Sequence, residues 1–244
     1  IGLDFDEAYM SSVSRAGRGN FAFVRDASAL SRFLTRELKE TSSTTVTSAV
    51  AHLRLPPQLR FVRAIGAQAS AVDGVVTLSM GSLFAGDARR VVIELEANEA
   101  VAGQQLPIDL NVSWQPVAQP DAVVVRAQQL RIGATSDPGR IARDPSVYAS
   151  CVSAIASWRQ LQALTAYRRG DVGRANQLID QNLVELSEAE SAPGQEGRAA
   201  RSQAKRYRDA KDKLLAAPPS APASRAAAKK ATADDNANLG RRAY

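Results

Sequence analysis

Few side chains in this sequence can do chemistry. There is one histidine, His52, and one cysteine, Cys151, in 244 residues. A single histidine excludes every two-histidine metal motif and most histidine-dependent triads. A single cysteine excludes an internal disulfide and any multi-cysteine zinc site. Cys151 acting as a nucleophile would have His52 as the only histidine available for its base. The local patterns point elsewhere. His52 alternates with Val50 and Arg54, which predicts a strand-surface position. Cys151 shares a helical apolar stripe with Val152 and Ile155, which predicts an inert, buried thiol. Asp4, Asp6 and Glu7 offer oxygen ligands, but the alternating carboxylates and terminal glutamate of a calcium loop are missing. They read as acidic groups at a helix start. Gly17 and Gly19 lack the third glycine and the strand-before, helix-after setting of a dinucleotide loop, so they read as a turn.

The elements that carry these residues fall into segments of different character. Over residues 1–42, apolar spacing predicts a strand end, a helix (Tyr9, Met10, Val13, Ala16), a short strand at Phe21–Val24 and a helix with the stripe Leu30, Phe33, Leu34 and Leu38. This is the order expected where a parallel α/β sheet closes. Over residues 43–134, helical spacing fades and β-branched residues become frequent. Strands are predicted at 45–53, 59–65, 75–80, 90–97, 106–114 and 122–132. Breaks fall at Pro56-Pro57, Asp73-Gly74, Gly86-Asp87 and Gly103, a pattern that suits an antiparallel β-sandwich. Residues 135–190 predict two antiparallel helices. Asp144-Pro145 starts the first, with the stripe Tyr148, Cys151, Val152, Ile155, Leu161 and Leu164, and Gly170-Asp171 separates the pair. A polar helix is expected to about residue 216. Residues 217–244, rich in Ala, Pro, Ser and Lys, predict a disordered tail.

Charge is unevenly spread. The chain carries +6, yet residues 191–244 alone hold twelve basic and five acidic groups. The basic character belongs to the tail, so any electrostatic partner would have to meet it there. One aromatic, Tyr207, stands in the basic stretch from Arg198 to Lys213. Stacking platforms for single strands use several, which disfavours nucleic acid and favours a solvated helix.

The first 42 residues resemble the end of a bacterial von Willebrand factor type A (VWA) domain. The matching residues are Ile1-Gly2-Leu3-Asp4-Phe5-Asp6-Glu7, Met10, Ala16-Gly17-Arg18-Gly19-Asn20-Phe21 and Arg36-Glu37-Leu38. Leu55-Pro56-Pro57, the run from Gly81 to Asp87 with Arg89-Arg90, and Arg168-Arg169-Gly170-Asp171 with Ala175 look like phrases of the calcium-activated chloride channel-like branch. The resemblance extends over roughly residues 1–190. It implies a Rossmann-like α/β domain with a divalent cation, Mg²⁺ by expectation, held by Asp-x-Ser-x-Ser and by a Thr and an Asp on later loops. In the family these stand upstream of the strand ending at Gly2. Asp26-Ala27-Ser28-Ala29-Leu30 is a near miss: its fifth position is Leu, and it precedes a helix that Asp26 or Ser28 caps.

The expectation is therefore an α+β chain. Residues 1–42 form the C-terminal end of an α/β VWA domain, 43–134 a β-sandwich, 135–216 a helical hairpin and its extension, and 217–244 a disordered basic tail. The chain reads as a fragment of a longer protein. No catalytic, cofactor-binding or metal-binding residue is assigned in it, and the cation belongs to the intact parent. The expected function is non-enzymatic protein–protein interaction or assembly with an unidentified protein partner. The alternative is binding of nucleic acid or an anionic surface through the basic tail. No apolar run reaches the ~18 residues of a membrane span. Compartment and oligomeric state are left open.

Overall fold

Strict alternation of side chains drives the middle of the chain into strands. In β1 (Thr44–Arg54), Ala49, Ala51 and Leu53 are buried while His52 and Arg54 face out. The strands that follow are β2 (Leu59–Ile65), β3 (Gln68–Val72), β4 (Val75–Phe84), β5 (Val92–Ala97), β6 (Gln105–Pro116) and β7 (Val124–Gly133). Five of them form an antiparallel sheet in the order β3-β4-β1-β6-β7, and β2 pairs with β5 in a second, two-stranded sheet. Leu53, Val76, Leu78, Leu106 and Ile108 of the large sheet share one apolar cluster with Leu59, Phe61, Ile93 and Leu95 of the small one. The two sheets thus bury one face each against the other, the usual way a half-apolar sheet is satisfied.

The strand β3 is not anticipated by sequence. Gln68-Ala69-Ser70-Ala71-Val72 is short, small and exposed throughout, so no burial pattern marks it. It is held by its turn: Asp73 and Gly74 take φ of +49° and +73°, the left-handed pair that a two-residue hairpin needs.

The computed structural model describes residues 6–16, 22–24, 26–141 and 143–240. Contacts divide it into two units, Ile1–Thr35 with Arg143–Tyr244, and Arg36–Ala142, the β unit above. In the other unit lie α1 (Glu7–Ala16) and the start of α2 (Ala27–Ser42). Asp6 caps α1, its Oδ1 accepting from the Tyr9 amide at 3.0 Å. The expected strand at Phe21–Val24 is corrected: residues 22–24 form neither strand nor helix, and Phe21 lies outside the described residues. Among the described residues every ladder is antiparallel. A parallel strand needs a neighbour to exchange hydrogen bonds with, and none is present there. The apolar stripes of α1 and α2 are correspondingly open, with Tyr9, Leu34 and Leu38 exposed. Gly2, Asp4, Gly17 and Gly19 lie outside the described residues.

The same unit contains four helices, α3 (Pro145–Arg168), α4 (Val172–Ala189), α5 (Gly194–Leu215) and α6 (Pro222–Leu239). Asp144 caps α3 as expected, Oδ1 accepting from the amides of Ser146 and Val147 at 2.8 and 2.9 Å, with Pro145 in the first turn. Gly170 closes it at φ +85°, a value that suits glycine. Asp171 then caps α4.

The expected hairpin with a solvated extension and a disordered tail is corrected to a bundle. α3 packs against α4, α5 and α6. α5 buries Ala200, Gln203, Ala204, Tyr207 and Leu214, so it is a core helix rather than a solvated one. Residues 222–239 are helical, and Ser224, Ala228, Thr232, Asp235 and Asn238 are buried. The tail has too few large apolar residues to suggest a core. It folds because alanine favours helix and because its polar face finds hydrogen-bond partners in α3 and α5.

Candidate functional site

The residues singled out for chemistry do not converge. His52 sits on the exposed side of β1 with Nδ1 3.1 Å from Thr77 Oγ1. Cys151 is half-buried on α3, less covered than its stripe suggested, and the two belong to different units. Asp26 does not fit a metal-ion site. Its Oδ1 accepts from the Ala29 amide at 2.8 Å and from Ser28 Oγ at 2.9 Å, which caps α2, and Leu30 offers no oxygen. Among the described residues no three His, Cys, Asp or Glu side chains group as metal ligands.

What sequence reading missed in the helical unit is a buried polar seam. Asp235 of α6 is 1% exposed. Its Oδ1 accepts from Tyr207 Oη at 2.6 Å and from Ser157 Oγ at 2.9 Å. Gln203 Nε2 donates to Tyr207 Oη at 2.8 Å and to Ser157 Oγ at 3.0 Å. Its Oε1 accepts from Ser153 Oγ at 2.7 Å. Asn238 Nδ2 donates to Ser157 Oγ at 2.8 Å. Three helices are thereby joined by side-chain bonds. Burial lifts the Asp235 carboxyl to about 7, although the Tyr207 and Ser157 hydrogen bonds pull the other way. The Tyr207 hydroxyl is pushed well above its ordinary value, first by burial and then by the nearby Asp235. The seam is closed to solvent, so it holds helices together rather than acting on a substrate.

An exposed surface lies in the β unit, at β7. This strand pairs with β6 along ten positions, from Trp114–Val124 to Gln105–Gly133, and forms one border of the sheet. Nine of its ten residues are exposed. Val125, Leu130 and Ile132 are 54%, 40% and 44% exposed. An edge strand presents unpaired backbone groups to any extended chain that approaches. Beside its C-terminal end is a hollow of about 340 Å³, walled by Leu59, Ala97, Ala100, Leu106 and Ile132 among others. Among the described residues no strand covers the outer edge of β7, and such an edge beside a small hollow is the arrangement used for strand addition. The backbone supplies affinity there, and the hollow selects a side chain.

Sequence reading placed this strand but not its exposure. The signal was the run Val123-Val124-Val125 followed by Arg126, Gln128, Gln129 and Arg131, polar on both faces of the strand.

No protein-family model matches the chain, and no curated protein matches it. Among solved structures it is similar to the von Willebrand factor type A from Catenulispora acidiphila. The TM-score is 0.64 and the identity 14%, over 96% of this chain and 56% of that one. It is also similar to the ArnB paralog VWA2 from Sulfolobus acidocaldarius. There the TM-score is 0.51 and the identity 13%, over 96% of this chain and 53% of that one. The chain spans about half the length of the solved structures it matches. At such identities the likeness concerns the fold: this is an α+β chain whose fold is VWA-like.

Proposed function

We propose that this chain is a non-enzymatic protein-interaction and assembly module of a VWA-type protein, and that it engages its partner by strand addition along β7. The observation that carries this reading is the ten-residue border strand, exposed on both faces beside an apolar hollow. The VWA-like fold supports an interaction role in general. The finer assignment to the bacterial calcium-activated chloride channel-like branch rests on the sequence phrases. The cation-dependent contact that the resemblance implies belongs to loops of the parent upstream of these residues, and a partner's acidic side chain would complete it.

The alternative, an anionic polymer or surface held by the basic tail, is weakened by how the cations are used. Arg201 and Arg208 lie 4.0 and 3.6 Å from Glu190. Lys211 pairs with Asp180, and Lys230 pairs with Asp234. Lys229 is only 3% exposed. Five of the twelve cations in residues 191–244 are thus paired or buried, two of them against the same Glu190.

The test is the double variant Leu130→Lys, Ile132→Lys, whose changes sit on exposed positions of one strand face. Partner association, measured by quantitative co-purification of the parent protein, falls at least tenfold while the thermal midpoint is held. Undiminished association would refute the β7 reading. Changing the exposed cations Arg198, Lys205 and Lys213 to Gln leaves the buried faces of α5 and α6 intact and separates the alternative: if that change alone abolishes binding, and binding also drops steeply with salt, the basic stretch is the binding element.

A further inference from the structure

The last helix of the unit is attached differently from its neighbours. α4 buries Leu178, Ile179 and Leu186. α6 buries Ser224, Ala228, Lys229, Thr232, Asp235 and Asn238, and of these only Ala228 is apolar. An alanine methyl contributes little hydrophobic stabilisation. The N-terminus of α6 has no side-chain cap, which would otherwise steady its first turn.

What seats α6 is a set of side-chain hydrogen bonds. Asn238 Nδ2 donates to Ser157 Oγ at 2.8 Å and to Ser153 Oγ at 3.2 Å. Ser157 and Tyr207 donate to Asp235 Oδ1 from α3 and α5. The second carboxyl oxygen, Oδ2, is buried without a hydrogen-bond partner, and so is Thr232 Oγ1 one turn earlier.

That asymmetry sets what the site can hold. A protonated carboxyl carries no charge, and the two donors on Oδ1 serve it. A carboxylate spreads its charge over both oxygens, and at Oδ2 no hydrogen bond compensates it. The groups acting on the carboxyl are Ser157 from α3, Tyr207 and the charged Arg206 from α5, and Asp234 on α6 itself. α1 also touches α6, and none of its described side chains is among these groups. Arg206 favours the ionised form and Asp234 opposes it. Burial is the largest influence and lifts the carboxyl to about 7, against 3.8 when it stands in water.

We propose that α6 is a proton-controlled latch, seated on α3 and α5 while the Asp235 carboxyl holds its proton and released from them when that carboxyl ionises. Release uncovers Ser153, Ser157, Gln203 and Tyr207, a polar face on α3 and α5. The linkage has a fixed sign. Between 3.8 and 7 the seated helix holds a proton that the released helix has lost. Seating therefore weakens about tenfold for each pH unit across that window and levels off above it. Acid closes the latch, and a pH near neutrality loosens it.

Hydrogen exchange of the whole chain, read by mass spectrometry at pH 5 and pH 8 and corrected for intrinsic rates, tests this. Protection of α6 is expected to lie at least tenfold below that of α4 at both pH values, as local release requires. It is also expected to fall at least tenfold from pH 5 to pH 8. Asp235→Asn, which cannot ionise, keeps its protection across the range. Tyr207→Phe removes a donor that favours the ionised carboxyl, so its fall exceeds that of the wild type. The proposal is overturned if wild-type α6 is equally protected at both pH values. It is also overturned if α6 and α4 share one protection level, because the helices then open only together. These two readings need no variant. A wild-type fall in Asp235→Asn, or no larger fall in Tyr207→Phe, overturns it as well.

Discussion

At the scale of single residues, the informative group is Asp235, and its burial has a signed consequence. In the unfolded chain it ionises near 3.8, and in the folded chain near 7. Between these values the folded state holds a proton that the unfolded state has released. Stability therefore falls as pH rises through that window, levels off above it, and is unaffected where both states are protonated. The full span is on the order of 4 kcal/mol. The groups facing the carboxyl are Ser157 from α3 and Tyr207 with the charged Arg206 from α5. Asp234 is its neighbour on α6. Asp235→Asn keeps the shape without the titration. Chemical unfolding followed through the helical unit at pH 5.5 and 8.5 shows wild type losing stability and the variant holding it. Equal losses would place the ionisation elsewhere. Little of this was legible in sequence. Ser153, Ser157, Gln203 and Asn238 are ordinary surface residue types, and nothing local distinguishes a buried amide from a solvated one. The exposed position of His52 and the cap at Asp144 were legible, because alternation and capping are local. Cys151→Ala and His52→Ala are each expected to leave partner association unchanged, and a loss in either would revive a role for that residue.

At the scale of elements, the helices differ in how they are held. α4 uses the familiar apolar spacing, with Ala175, Leu178, Ile179 and Leu186 buried. α3 was read by its large residues, yet Cys151, Ile155 and Leu161 are only half-buried while Ala156, Ser157, Gln160 and Ala163 are fully covered. Contact with three helices covers nearly every side of α3, which erases the one-sided stripe that periodicity detects. α6 was missed for a related reason: Ala228 is its one fully buried apolar residue, and hydrogen bonds do the rest. The approach of the chain to α5 is equally tight. A Cβ at Gly197 would fall 2.0 Å from the Ala192 carbonyl oxygen, a backbone atom that no side-chain rotation can move. Gly197→Ala therefore shifts either the α4–α5 turn or α5 itself, with a destabilisation of about 1–3 kcal/mol. Calorimetry of the variant checks this, and an unchanged midpoint would mean that the turn relaxes freely.

At the scale of the whole molecule, two units use different means of cohesion. The β unit is joined by an apolar cluster shared between two sheets, and the helical unit combines an apolar cluster with the polar seam. The broad order was legible because mixed β-branched alternation and helical spacing are distinct signals. The two-sheet pairing was legible only as a class, since strand order depends on contacts far apart in sequence. The exposure of β7 was not legible: a strand's period shows which residues share a face, not whether anything covers that face. If β7 is where another protein is bound, that protein lies within reach of its side chains. A photo-crosslinking amino acid is placed at Leu130, with a control at the exposed His52, in cells expressing the protein. Adducts are then identified by mass spectrometry. Intermolecular adducts at position 130, at least tenfold above those at position 52, are predicted. Adducts confined to one chain, or no enrichment over position 52, would contradict the claim.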